Sequence, residues 1–111
     1  MPSEREPDFE VKRWSHGAMS GPPLHVHHDD DEVWHVIEGT LRFRLGDDVV
    51  DAGPNDTITA PAGTPHTYGS PGDVTYLIIT TPRIFALIEA LHESHDDAAD
   101  VYRRFASEML E

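Results

Sequence analysis

Hydrophobic and polar residues alternate along most of the chain, in short stretches that turn-forming residues separate. The clearest stretch is residues 41–45, in which Leu41, Phe43 and Leu45 alternate with two arginines. A period of two places successive side chains on opposite faces of a β-strand, so one face of this strand is expected to be buried. Further extended stretches are predicted at residues 9–14, 24–27, 32–37, 49–50, 57–60, 66–68 and 74–81. Short strands with Gly, Pro and Asp between them, at a spacing of about eight to twelve residues, predict an all-β sandwich or barrel.

The hydrophobic period changes at Pro82. Thr81 is a suitable N-cap for a helix, and Pro82 suits the first helical position. Apolar residues then recur at helical spacing, at Phe85, Ile88 and Leu91. The sequence therefore predicts that a helix follows the strands directly.

A second helix is predicted to begin near Ser94, because Ser94 and Asp97 have the spacing of a capping box. Its apolar side chains form one stripe, made of Ala98, Val101, Tyr102, Phe105 and Met109. The chain therefore divides into a flexible N-terminus at residues 1–8, a barrel at residues 9–81, and C-terminal helices at residues 82–111 that pack on the barrel or on a partner subunit.

Composition and charge narrow the classes of function. The 111 residues suffice for one domain, and 8 basic against 21 acidic side chains give a formal net charge of −13. Such a charge repels phosphate backbones and anionic lipid, so neither nucleic acid nor a membrane is expected as a partner. The chain has no cysteine, which excludes disulfides and thiolate zinc sites. We expect a soluble cytoplasmic protein.

The candidate chemistry lies in the histidines, of which the chain has eight. His25 and His27 are two residues apart on a predicted strand, so their rings share a face at a backbone separation of roughly 7 Å. Glu32 follows at the start of the next strand, and His66 follows a tight turn much later in the chain. Three imidazoles and a carboxylate suit a first-row divalent metal ion. Spacing alone leaves a chance cluster of loop histidines as the alternative.

The spacing of these residues resembles the two sequence motifs of the small metal-binding cupins. The first motif has Gly, then His-x-His, a short gap, Glu, six residues and Gly. The second has Gly, a short gap, Pro-x-Gly, two residues, His, three residues and Asn. The matching residues here are His25, His27, Glu32 and Gly39, then Gly53, Pro61, Gly63 and His66. The chain departs from the motifs in two places: no glycine lies six positions before His25, and Ser70 stands where the second motif ends in Asn.

Neither departure removes a ligand position. The resemblance implies a cupin double-stranded β-helix, a jelly-roll-like barrel, over residues 9–81 with a C-terminal helical appendage. It also implies one divalent transition metal ion per chain, which could be Fe, Mn, Ni, Cu, Co or Zn. The ligands that the resemblance implies are His25, His27, Glu32 and His66.

Alternation extends the prediction to a substrate pocket. Side chains two or four residues from a ligand share its face, which places Trp34 and Val36 with Glu32, and Tyr68 and Ser70 with His66. Phe43 is predicted to complete this apolar and aromatic pocket. The alternative is that Trp34, Phe43 and Leu45 simply fill the interior of a small barrel.

Other polar residues give weaker signals. His28 would project away from His27 and is expected in a loop, whereas His16 could lie at the rim of the pocket. His92 and His95 are expected in solvent at a helix end. The acidic run 29–31 lacks the ligand spacing of an EF-hand, so a solvated acidic turn is expected there.

The resemblance implies a mononuclear metal-dependent enzyme that acts on a small apolar or aromatic substrate. Its donor set is most similar to that of oxygen-dependent dioxygenases of the quercetin-cleaving kind, in which Glu32 would be both ligand and general base. The alternatives are a redox-neutral isomerase, cyclase or lyase, and a cupin that binds a metal or small ligand without catalysis. Exposed strand edges, the apolar helix stripe and the thin core of a barrel this small also predict a homodimer.

Overall fold

The computed structural model describes residues 8–110, which form nine strands and two helices. The predicted flexibility of residues 1–7 lies outside the described residues. The elements in chain order are β1 (Glu10–His16), β2 (His25–His27), β3 (Glu32–Glu38), β4 (Leu41–Leu45), β5 (Asp48–Ala52), β6 (Thr57–Ala60), β7 (His66–Gly69), β8 (Val74–Thr80), α1 (Pro82–Glu93), α2 (Ala98–Arg104) and β9 (Ser107–Met109).

The strands form two antiparallel sheets. One sheet has the order β1-β8-β3-β6, and the other has the order β5-β4-β7-β2-β9. Side chains from both sheets meet in one hydrophobic core, as in the ring contact between Trp34 of β3 and Phe43 of β4 at 5.1 Å between centroids. The predicted all-β class is confirmed.

Strand β4 illustrates how alternation decides burial. Leu41 and Phe43 are buried in the core, whereas Arg42 and Arg44 are exposed on the outer face. Strand β8 shows the same pattern over seven residues, with every second side chain buried. The period of two in the sequence is therefore the period of the two-sheet core.

A glycine allows the segment before β2 to cross β7. Gly21 has φ +82°, and a Cβ at this position would overlap the backbone carbonyl of Tyr68. Only glycine tolerates both the positive φ and this close approach of two backbones. The crossing matters because it directly precedes β2, and β2 carries two of the candidate ligands.

Helix α1 begins as the sequence predicts. The Thr81 side chain accepts a hydrogen bond from the Ile84 amide at 3.3 Å, and Pro82 occupies the first turn. Ile84, Phe85 and Leu87 are buried against the rest of the molecule. Within the described residues, neither helix is long and apolar enough to cross a membrane.

The prediction for the second helix is wrong at both ends. Its N-cap is Asp97 rather than Ser94, and it ends at Arg104. Ala106 then adopts φ +53°, and the following residues form β9, which pairs with β2. Local periodicity could not show this, because the pairing satisfies backbone groups of a strand some eighty residues earlier in the chain.

The helices pack on the barrel of their own chain. Leu87 of α1 and Val101 and Tyr102 of α2 are buried together and form a second hydrophobic cluster. The apolar stripe that suggested a homodimer is thus covered within the chain. A different surface would have to support a dimer.

Candidate metal centre

The four predicted ligands converge at one place in the barrel. His25 and His27 lie on β2, Glu32 opens β3, and His66 opens β7 directly opposite His25. Each residue is at most 5% exposed. Each offers one ligand atom, and these atoms all lie within 4.8 Å of one another. The four residues are therefore positioned to bind one metal ion.

The Nδ1 atom of each imidazole is held by a hydrogen-bond acceptor. His25 Nδ1 donates to the Pro23 carbonyl at 2.7 Å, and His66 Nδ1 donates to the Thr64 carbonyl at 2.9 Å. A carbonyl oxygen cannot donate, so each of these Nδ1 atoms must carry the hydrogen. The Nε2 atom of each neutral ring then presents a lone pair, which is the form that binds a metal ion.

His27 has the same tautomer for a different reason. Its Nδ1 lies 2.6 Å from the Ser107 hydroxyl, which itself lies 3.0 Å from the Phe105 carbonyl. Because the single hydroxyl hydrogen goes to that carbonyl, the hydroxyl oxygen accepts from His27. All three Nε2 atoms thus face the centre as lone-pair donors.

The donor set fits a divalent transition metal ion. The Nε2 atoms of His27 and His66 lie 3.2 Å and 3.4 Å from Glu32 Oε1. His66 Nε2 is buried and has no hydrogen-bond partner among the described residues. Lone pairs of neutral imidazoles that face a buried carboxylate are unfavourable without a cation between them, and a metal ion would satisfy all four.

The electrostatics keep the ligands in the required ionisation states. Burial, followed by the neighbouring His66, lowers the pKa of His25 to about 4, so this ring is neutral at neutral pH. Burial alone would raise the pKa of Glu32, but hydrogens on the facing Nε2 atoms of His27 and His66 in the metal-free centre outweigh burial and lower that pKa to about 2. When both rings are neutral with their lone pairs toward Glu32, a bound cation takes the place of these hydrogens. The carboxylate is therefore ionised at every pH at which the protein is expected to work.

A cavity of about 510 Å³ opens beside the centre, and His25, His27 and Glu32 form part of its wall. The barrel supplies one side of the cavity and the two helices supply the other. Its largest apolar side chains include Trp14, Ile78, Ile84, Leu87, Leu91 and Tyr102. The C-terminal helices thus enclose the space next to the centre.

The predicted pocket residues lie in different places. Tyr68 lines the cavity. Trp34, Val36 and Phe43 are fully buried in the core between the sheets, where neighbouring side chains fill the space. Ser70 is buried as well, and its hydroxyl donates to the Gly17 carbonyl at 3.1 Å. Alternation gave the correct inward face for Trp34, Val36 and Phe43, but it could not say which inward positions meet the cavity.

Sequence reasoning missed two tyrosines of the cavity. Tyr76 shares the inward face of β8, and Tyr102 projects from α2 with its ring centroid 5.2 Å from that of His25. Burial raises the pKa of Tyr76, and burial with the nearby Glu32 raises the pKa of Tyr102 to about 12. Both hydroxyls therefore keep their hydrogen. The alternation around Tyr76 and the helix stripe around Tyr102 were signals that could have identified them.

The other histidines lie outside the ligand cluster. His28 is exposed, 3.7 Å from Glu108 and outside the ligand cluster, as predicted. His16 does line the cavity, and its Nε2 accepts a hydrogen bond from the Tyr76 hydroxyl at 2.8 Å. His92 is exposed as predicted but also lies at the cavity edge.

The acidic run 29–31 is not simply solvated. Asp30 is buried, and its carboxylate lies 3.5 Å from the Arg83 guanidinium. Asp31 accepts a hydrogen bond from the Ala62 amide at 2.7 Å. The run thus anchors the loop before Glu32 to α1 and to the β6–β7 turn.

Comparison with known proteins agrees with the fold. The family model of the cupin domain matches residues 13–81, which is more than half of the chain. The protein belongs to the cupin family. The matched segment includes all four candidate ligands and ends before α1.

Curated relatives match only in part. The chain is 32% identical over 66 residues to mannose-1-phosphate guanylyltransferase ManC of Salmonella typhimurium, and this match covers 60% of the chain and 14% of that protein. A mannose-1-phosphate guanylyltransferase of Escherichia coli is 30% identical over 66 residues, again over 14% of its length. The chain thus spans about one seventh of these relatives.

Solved structures match over more of the chain. The TT1209 protein from Thermus thermophilus has a TM-score of 0.61 at 25% identity, with 74% of this chain and 80% of that chain covered. KdgF from Halomonas sp. has a TM-score of 0.62 at 20% identity, with coverages of 69% and 72%. The likeness to the Halomonas protein supports the fold alone.

Proposed function

We propose that this protein is a mononuclear metal-dependent cupin enzyme that acts on a small, neutral, largely apolar or aromatic substrate, with an oxygen-dependent dioxygenase reaction as the leading possibility. The observation that supports the proposal is a buried three-histidine, one-carboxylate centre that opens onto an apolar cavity of about 510 Å³. Metals that accept five or six ligands keep positions free beyond these four, and such open positions distinguish catalytic from structural sites.

The cavity wall restricts the charge of the substrate. Among the described residues that line it, none is Lys or Arg, so apart from the proposed metal ion it offers no fixed cation for a phosphate or carboxylate group. Tyr102 instead supplies a phenol donor, whereas the Tyr76 hydroxyl already donates to His16 Nε2 and the Tyr68 hydroxyl bonds to Tyr76. A neutral molecule with one or two oxygen atoms fits this wall better than the sugar phosphates that the names of the curated relatives imply.

Each group of the chain has a defined task in the proposed reaction. A bound metal ion would supply Lewis acidity toward a substrate oxygen and, if redox-active, reactivity toward O₂. The Tyr102 hydroxyl holds a substrate oxygen, and the helices exclude water from the cavity. Glu32 is an ionised ligand first, since its low pKa makes it a weak base while it contacts the imidazoles. Its second proposed task is to accept a proton from a substrate hydroxyl.

A redox-neutral isomerase, cyclase or lyase reaction is the second candidate. It is supported by the combination of one buried carboxylate with three protonated phenols, which can move protons without an oxidant. A cupin that binds a metal or small ligand without catalysis would use the same centre and cavity.

Oxygen consumption separates these candidates. Protein purified anaerobically and loaded with Fe²⁺, Mn²⁺, Ni²⁺ or Cu²⁺ should be screened for oxygen uptake with aromatic diols and hydroxyketones. The proposal expects uptake with at least one metal and substrate, and loss of most uptake in Glu32→Gln at equal metal occupancy. Equal rates would remove Glu32 as the base. Substrate turnover without oxygen uptake would favour the redox-neutral reaction, and binding without turnover would favour the non-catalytic role.

A further inference from the structure

Strand β2, which carries two of the four candidate ligands, depends on the C-terminus for most of its pairing. Its register with β7 is limited to His25 opposite His66. Its register with β9 spans all three residues of β2, from His25 opposite Met109 to His27 opposite Ser107. Strand β9 is therefore the main partner of the strand that presents the imidazoles.

Two further backbone hydrogen bonds extend this pairing beyond the strand ends. The His28 amide donates to the Ala106 carbonyl at 2.8 Å, and the Leu110 amide donates to the Leu24 carbonyl at 2.8 Å. The C-terminal segment 106–110 thus holds both ends of β2. This segment lies outside residues 13–81, the part of the chain that matches the cupin domain family.

The Ser107 side chain adds a direct link to the centre. Ser107 is 2% exposed, and its Oγ accepts from His27 Nδ1 at 2.6 Å while it donates to the Phe105 carbonyl at 3.0 Å. The acceptors for the other two imidazoles are backbone carbonyls of neighbouring residues. His27 is thus the imidazole whose tautomer depends on a side chain, and that side chain comes from the other end of the chain.

We propose that Ser107 is a positioning residue of the metal centre, and that metal binding is coupled through it to the docking of β9. This inference rests on the metal centre of the proposed function. Without the hydroxyl, His27 Nδ1–H loses its acceptor in a buried position, and the ring can rotate or exchange tautomers so that Nε2 carries the hydrogen. Either change removes a lone pair from the centre. Because binding couplings are reciprocal, a bound metal ion should in turn hold β9 in place.

The test compares two nearly isosteric variants. Ser107→Thr keeps a hydroxyl and Ser107→Val replaces it with a methyl group, and both β-branched side chains suit a strand. Ser15→Ala is the matched control, since Ser15 on β1 makes a 2.8 Å hydroxyl–hydroxyl hydrogen bond to Thr75 on β8, outside the ligand cluster. Each chelator-treated protein is titrated with Co²⁺, and visible absorption reports both the dissociation constant and the ligand field of the ion.

The proposal expects Ser107→Val to bind Co²⁺ about 10- to 100-fold more weakly, with a changed absorption spectrum, as loss of an outer partner of a metal ligand typically does. Ser107→Thr and Ser15→Ala should stay near the native affinity. Hydrogen exchange of the 106–110 amides should slow when Co²⁺ binds the native protein, and should respond less in Ser107→Val. Thermal unfolding without metal shows whether a variant is folded, and a Ser107→Val that fails to fold is replaced by Ser107→Ala.

Two results would contradict the proposal in distinguishable ways. If the native protein binds Co²⁺ and the Val and Thr variants bind it equally well, Ser107 has no positioning role while the metal centre stands. If the native protein does not bind Co²⁺, the metal centre itself fails, and the role of Ser107 fails with it.

Discussion

The three imidazoles turn their Nε2 lone pairs toward the carboxylate because the hydrogen on each Nδ1 already has an acceptor. Backbone carbonyls hold His25 and His66, and a serine hydroxyl holds His27. The Nε2 lone pairs are thereby fixed toward Glu32 before any ion binds. Such preorganisation is costly in the metal-free protein, since His66 Nε2 is buried without a hydrogen-bond partner, and it favours metal binding for the same reason.

The low pKa of His25 predicts how the stability of the metal-free protein depends on pH. Its pKa is about 4 in the folded chain against an ordinary value of 6.5, so the unfolded chain binds the proton first as the pH falls. Keeping His25 neutral in the folded chain therefore contributes to the free energy of unfolding. The contribution is present in full above pH 6.5 and is lost as the pH falls toward 4, by about 3 kcal/mol at most. Glu32 acts in the same direction at lower pH, below 4.5.

Urea unfolding of chelator-treated protein at several values between about pH 7.5 and 4.5 measures this dependence. His25→Gln should be less stable at neutral pH but should lose less stability on acidification than the native protein. His95→Gln, at an exposed position, serves as the control and should follow the native curve. An acid dependence in His25→Gln as steep as in the native protein would contradict the assignment.

The ligands were predictable from the sequence, whereas their surroundings were not. His25, His27, Glu32 and His66 occupy motif positions, and a strand-based motif keeps its spacing because each residue must face inward. The contact of Ser107 with His27 joins residues 80 positions apart and has no local signal. A period of two likewise assigns Trp34 to the interior without showing whether a cavity or packed side chains lie beside it.

At the scale of elements, the crossing of the β2 approach over β7 should be sensitive to one methyl group. Gly21→Ala combines an unfavourable positive φ with overlap on the Tyr68 backbone. Gly46→Ala is the matched control, since Gly46 also has a positive φ, +58°, but a Cβ at this position would have no atom within 4 Å. We expect Gly46→Ala to cost roughly 1 kcal/mol of unfolding free energy and Gly21→Ala clearly more, with weaker metal binding only in Gly21→Ala.

Urea unfolding of both glycine variants, together with Co²⁺ titration, checks this expectation. Equal destabilisation of the two variants would mean that the backbone relaxes at the crossing. The crossing would then not be what aligns β2 with the centre.

The helices were predicted better than the strand that follows them. The start of α1 has local signals in Thr81 and Pro82, and the structure has both in the expected roles. The end of α2 does not, because Met109 continues the helical stripe in sequence while the backbone of β2 captures it as part of β9. Long-range backbone pairing, rather than local periodicity, determined the secondary structure of this segment.

Packing of the helices on the barrel predicts their contribution to stability. Leu87 is 1% exposed, lines the cavity and contacts the buried cluster of α2. Leu87→Ala should therefore lower the free energy of unfolding by about 2–5 kcal/mol, as truncations of buried leucine do. The exposed Leu110→Ala is the control, with an expected change below about 1 kcal/mol. A small effect at Leu87 would indicate that the helices are loosely attached to the barrel.

At the scale of the whole molecule, the predicted homodimer now rests on an edge strand. Strand β1 ends the four-stranded sheet, and Val11 on it is 58% exposed, with Phe9 next to it 53% exposed. An exposed edge with apolar side chains favours pairing with a second chain. We expect light scattering at micromolar concentration to give a mass near twice 12.4 kDa.

A charge on this edge should shift the equilibrium to monomer. Val11→Lys is expected to halve the measured mass, whereas Val49→Lys, on the edge strand β5 of the other sheet, should leave it unchanged. A folded native protein that stays monomeric at every concentration would contradict the dimer. Dissociation by Val49→Lys instead would move the interface to the other sheet.

The central claim is that these four residues form one metal centre, and metal content tests it most directly. Native protein, His66→Ala and His28→Ala should be purified anaerobically in parallel, and the metal per chain measured by mass spectrometry. We predict close to one transition metal ion per chain in the native protein and in His28→Ala, and little or none in His66→Ala. Loss of the metal in His28→Ala with retention in His66→Ala would contradict it.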